Sequence, residues 1–88
     1  MVSEDLIDET ILKMAHKAGV GKLIAPMEVA VAIVGNNEKE WRLIMKSVKM
    51  GVIRQARLEL VEIWRNNAVV ELDAVRGLYR FRLKAQAG

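Results

Sequence analysis

NEKEWRLIMKSVKMGVIRQARLELVEIWRNNAVVEL, residues 37–72, switches its hydrophobic period from helical to alternating near Leu58, and that switch decides the fold. Asn37 followed three residues later by Glu40 is a capping-box arrangement that opens a helix. The spacing predicts one continuous third helix from Glu38 to Leu58. At about 100° per residue, Trp41, Ile44, Met45, Val48, Val52 and Ala56 share one side. Arg42, Lys46, Lys49 and Arg57 share a neighbouring side, with Lys39 close by. From Trp41 to Leu58 there are five basic residues, Arg54 being the fifth, and no acidic one. Gly51 costs about 1 kcal/mol against Ala in a helix interior. Its place at the margin of the apolar face calls for either close approach by another helix or a local break.

Beyond Leu58 the alternation predicts a strand over Val61–Arg65, and Asn66-Asn67 suits the positive φ angles of a two-residue hairpin turn. The register then sets Arg65 opposite Ala68, Trp64 opposite Val69, Ile63 opposite Val70, Glu62 opposite Glu71 and Val61 opposite Leu72. Val61, Ile63, Ala68, Val70 and Leu72 form a core face; Trp64, Val69, Glu62 and Glu71 form the outer one. Asp73–Gly77 reads as a loop and Leu78–Leu83 as a further short strand. Tyr79, Phe81 and Leu83 point one way, and Arg80, Arg82 and Lys84 point the other. Such a strand beside the hairpin brings Arg80 or Arg82 to relieve the Glu62–Glu71 pair. Gln86–Gly88 is expected to fray.

Upstream, Ser3 is a good N-cap, and Glu4 and Asp5 complement the positive end of a helix running to Ala18, stopped by Gly19-Val20-Gly21. Lys22-Leu23-Ile24 has the makings of one brief strand. Pro26 opens a second helix, for which it needs no N–H, and Gly35-Asn36-Asn37 ends it. The order is that of an α+β winged helix: three helices followed by a β-hairpin wing and a further short strand, as a single domain over residues 1–88. Gly35-Asn36-Asn37 is then the turn of a helix-turn-helix, with the third helix as recognition helix.

Pro26-Met27-Glu28-Val29-Ala30, Trp41-Arg42-Leu43-Ile44-Met45, Val48-Lys49 and Gly77-Leu78-Tyr79-Arg80 together resemble a bacterial family known as a domain of unknown function. Its pattern is roughly Pro-Ser-Glu-Val-Ala-Arg, Trp-Arg-x-x-Met, a Val-Arg pair and a late Gly-x-x-Arg. The resemblance covers about residues 7 to 83 and implies a winged-helix-like fold without an established activity. The chain departs from the pattern at Met27 (Ser expected), Val31 (Arg expected) and Glu59 (Gly expected). Losing a base at 31 weakens phosphate contact by the second helix, and Glu59 bears on where the third helix ends.

Hydrophobic residues make up 52% of the 88, enough for a packed core. There is no Cys, which removes disulfides and thiolate metal sites, and the acidic start at Glu4, Asp5, Asp8 and Glu9 is the reverse of a signal peptide. No apolar run approaches the ~20 residues of a membrane span. A cytoplasmic protein is expected, with no membrane, metal or cofactor. His16 stands alone and cannot build a histidine metal site. Glu28 is explained by the helix dipole. Phosphate-loop, dinucleotide and nucleophile-elbow signatures are missing, so no catalytic residue is assigned and no enzyme is expected.

The net charge of +3 is unevenly spread, with basic residues concentrated in the later half. The expected partner is duplex DNA, held by Lys39, Arg42, Lys46, Lys49 and Arg57, with Arg80 and Arg82 near the wing. The bland counterpart is a solvated face, with Arg42 paired to Glu38 and Arg80, Arg82 and Lys84 neutralising Glu62 and Glu71. The alternative is a protein-interaction domain with Trp64 and Val69 as anchors for a protein partner or a second copy of the chain. Trp41, leading the apolar stripe, is expected in the core.

Overall fold

The computed structural model describes residues 2–85, so the expected frayed end at Gln86–Gly88 lies outside the described residues. Among those described, four α-helices precede a three-stranded antiparallel sheet, a winged-helix-like α+β arrangement. Helices α1 (Glu4–Ala18) and α2 (Pro26–Val34) have the expected boundaries. The Ser3 hydroxyl accepts from the Leu6 N–H at 3.1 Å, and the Glu28 carboxylate accepts from the Ala25 N–H at 2.7 Å. Each pairing satisfies a backbone donor in or beside the first helical turn.

The expected third helix is two helices, α3 (Glu38–Leu43) and α4 (Met45–Arg57), divided at Ile44. The Ile44 N–H turns to the Trp41 carbonyl at 3.3 Å, a tight 3-10 bond, while the Ile44 carbonyl receives Val48 and starts α4. α3 carries Glu38, Lys39, Glu40 and Arg42, and none of its residues is fully buried. It has too little apolar surface to be held in register with α4 against the core. Gly51 breaks nothing: α4 runs straight through it. A Cβ there would lie 2.7 Å from Ile7 Cγ2 and 2.9 Å from Ile11 Cδ1, so its bare backbone is what lets α1 approach.

α4 ends in a Schellman arrangement. Leu60 N–H reaches the Gln55 carbonyl and Glu59 N–H the Ala56 carbonyl, both at 3.0 Å, with Glu59 at φ +61°. This is the position where the family pattern has glycine. A side chain in the left-handed region costs on the order of 1 kcal/mol, and the Glu59–Lys84 contact at 3.2 Å is largely exposed and offsets little. Glu59→Gly is therefore expected to stabilise the domain by about 0.5–1 kcal/mol, read as a rise of roughly 3–6 °C in the thermal midpoint.

Strands β1 (Val61–Arg65) and β2 (Ala68–Val69) join through Asn66 and Asn67, both at positive φ, with Arg65 opposite Ala68 and Trp64 opposite Val69 as expected. The ladder stops there, after one further bond from the Val70 N–H to the Ile63 carbonyl. Continuing it would set Glu62 against Glu71; instead the chain enters a 3-10 turn at Leu72–Ala74 and buries Val75. Ala68 accordingly lies exposed, not in the core. Strand β3 (Arg80–Leu83) pairs with the other edge of β1, starting two residues later than expected, with Leu78 left in solvent. Ile24 and Phe81 exchange backbone bonds of 2.7 and 3.0 Å, so the brief strand before α2 reduces to a single bridge on the outer edge of β3. The core between helices and sheet holds Ile7, Ile11, Val29, Val48, Val52, Val61, Ile63 and Phe81.

Candidate functional site

α4 turns Val48, Gly51, Val52 and Gln55 inward. Lys46, Met50 and Arg57 lie along its open side, Lys49 is half-buried beside them, and the helix contains no acidic residue. Lys46 and Arg57 are eleven residues apart, about 16 Å along the axis. Among the described residues neither they nor Lys49 nor Lys39 has an ion-pair partner. Lys39 and Arg42 border one shallow depression on α3 with Asn37 and Glu38.

The other cations are committed in varying degrees. Arg42 meets Glu38 at 2.7 Å, but both side chains are more than half exposed, so the pair is weak. Arg54 donates to both carboxylate oxygens of Asp8, at 2.8 and 3.2 Å, and lies 3.6 Å from Glu4. The Asp8 hydrogen bonds raise the Arg54 pKa above its ordinary value and tie α4 to α1. Arg82 donates to Glu62 at 2.6 Å and stacks over Trp64, its guanidinium carbon 4.2 Å from the ring centre. Of the two arginines expected near the wing, then, Arg82 has an internal partner, as the neutralising reading has it, and Arg80 has none among the described residues.

Trp64 is half-buried on the outer sheet face, its indole N–H reaching Glu62 at 3.3 Å. Val69, opposite it, is 54% exposed. The cover over Trp64 comes from Arg82, on the same sheet. Trp41 is not a full core residue: it packs against the core on one side and opens on the other to a groove of about 710 Å³. Trp64, Met27, Met45, Arg65 and Arg80 also line this groove, which runs from the start of α2 to the base of the wing. Sequence reasoning missed it. Its residues come from four separate stretches, three of which overlap the motifs that carry the family resemblance, while the stretch from Trp64 to Asn67 belongs to none of them.

Tyr79 borders the same groove, yet its hydroxyl is buried without a hydrogen-bond partner among the described residues. Burial pushes its pKa up from 10.0 to about 12. The folded state thus keeps the phenol proton where the unfolded chain has lost it. Stability is complete below pH 10 and falls between about pH 10 and 12, by about 2–3 kcal/mol in all. Tyr79→Phe is expected to abolish this alkaline loss and to cost nothing at pH 7, where it removes an unpaired polar atom. Urea denaturation at neutral and alkaline pH checks both parts.

Among the described residues no helix is long and apolar enough to cross a membrane, and no group of three or more His, Asp or Glu side chains is placed to hold a metal ion. Residues 4–84 match the family described as "Protein of unknown function (DUF3253)", and the chain belongs to that family. No curated protein matches the chain.

Proposed function

We propose that this domain binds duplex DNA through the open face of α4. The observation that carries the reading is the set of uncommitted cations, Lys46, Lys49 and Arg57, on a helix without acids in a winged-helix-like frame. In this reading α2, the Gly35-Asn36-Asn37 turn and the α3–α4 pair act as a helix-turn-helix, with α4 entering the major groove. Lys39 on α3 and Arg80 near the wing meet flanking phosphates, and Arg42 joins them by exchanging Glu38 for phosphate. Arg82 supports the wing through Glu62 and Trp64. The setting is cytoplasmic, and the protein binds without catalysis.

Fluorescence anisotropy with labelled random duplex at two salt concentrations tests the reading. Micromolar affinity that falls steeply with salt is expected, because each neutralised phosphate releases counterions. Lys46→Glu combined with Arg57→Glu, both exposed, is expected to weaken binding by about a hundredfold or more without altering the thermal midpoint. Absence of binding at low salt sinks the proposal. The second reading, a protein partner held by Trp64 and Val69, is favoured by one observation, the open apolar groove beside Trp64. It predicts partner loss on Val69→Asp with DNA affinity unchanged.

A further inference from the structure

The groove between the start of α2, the α3–α4 junction and the wing has three properties, of which the DNA reading uses only the charge of Arg80. Its lining is apolar and aromatic, with Trp41, Trp64 and Met45 half-buried in it and Met27 at its exposed rim. None of its lining residues is acidic, while two arginines, Arg65 and Arg80, border it without an ion-pair partner among the described residues. Its volume, about 710 Å³, lies within the roughly 300–1,000 Å³ of small-molecule sites.

We infer that this groove binds a small aromatic carboxylate. Indole rings and methionine thioethers favour a flat, polarisable body, which they contact by offset stacking and sulfur–ring packing. Guanidinium groups favour a carboxylate, which they bind in a planar, charge-assisted fork. Arg65 lies against the groove wall at Gly77. Its Nη2 would lie 3.3 Å from a Cβ added at Gly77, so the guanidinium packs on the bare backbone of that glycine. Arg80 sits opposite Trp64 across the β1–β3 ladder, next to the ring on which the ligand lies. Five of the motif residues, Pro26, Trp41, Met45, Gly77 and Arg80, line this one groove. The inference does not depend on DNA binding.

The test uses the full chain labelled with nitrogen-15 and titrated with 1-naphthoate. The two tryptophans provide two indole N–H resonances, one from each residue that lines the groove. Both are expected to shift and saturate, with a dissociation constant of roughly 10 μM to 1 mM. The uncharged 1-naphthamide is expected to bind about tenfold more weakly, since it forgoes the charge-assisted contacts. Arg80→Gln should weaken naphthoate but not naphthamide. Met27→Glu places a carboxylate at the exposed rim and should weaken naphthoate severalfold with the fold intact, as unchanged backbone resonances outside the groove report. Equal binding of acid and amide, indifference to both substitutions, or no saturable shift of either indole overturns the inference.

Discussion

Phe81→Ala is expected to destabilise the domain by about 3–5 kcal/mol, read from the urea midpoint at constant slope. Phe81 is fully buried and is the largest side chain in that state. It stands at the centre of the sheet's inner face, opposite Ile63 in the β1–β3 ladder and bonded through its backbone to Ile24. Truncation removes the ring from contact with both the helices and the sheet, and neighbours of this size close little of the cavity. At about 0.05–0.15 kcal/mol per residue, a chain of 88 residues holds on the order of 4–13 kcal/mol in all. The substitution thus takes roughly a quarter of the total or more, and the thermal midpoint is expected to fall by roughly 10 °C or more. Phe81→Leu, which keeps most of the volume, is expected to cost less than half as much. Equal losses for the two would mean that the ring does not sit in a tightly packed site.

Gly51→Leu is expected to cost about 3 kcal/mol or more, through overpacking instead of a cavity. A Cβ alone already meets Ile7 Cγ2 at 2.7 Å, Ile11 Cδ1 at 2.9 Å and Asp8 Oδ1 at 3.0 Å. The first belongs to a fully buried residue with no room to withdraw. Relief requires α1 and α4 to separate, which also pulls Asp8 from Arg54. Gly51→Ala shows the competition of effects most clearly. Helix propensity favours Ala by about 1 kcal/mol, and the clash opposes it by about 1–3 kcal/mol. A net loss of about 1 kcal/mol is expected. A stabilised Gly51→Ala variant, measured by thermal or urea denaturation, would show that the two helices are not in close contact there.

Much of the fold was legible because local chemistry and global packing agree over long segments. Ser3, Pro26 and the glycines after Ala18 and Val34 bound α1 and α2 at the expected residues. The Asn66-Asn67 turn set the first two pairs of the hairpin. The disagreements lie where tertiary partners compete with a simple period. Trp41 fits a continuous helical stripe, yet α3 offers the core so little else that the helix breaks at Ile44 and leaves the ring at a groove. Alternation continues through Val70, but β2 stops short because like charges would face each other and Val75 has a place in the core. The basic face of α4 was readable from spacing, while the loss of Arg54 to Asp8 was not. No periodicity in one segment reveals a carboxylate forty-six residues away.

The Ile24–Phe81 bridge closes the molecule across most of its length, and this bears on the order in which the chain acquires its structure. Contacts of such wide separation form slowly, since the loop must be ordered before the contact repays it. During synthesis the helices emerge first, and their apolar faces wait for the strand that completes the core. Until β3 arrives, Ile24 lacks its Phe81 backbone partner and the place that Phe81 fills in the core is open. For that interval the nascent chain is a sticky, unfinished layer, and its route to the folded product depends on how quickly β3 docks.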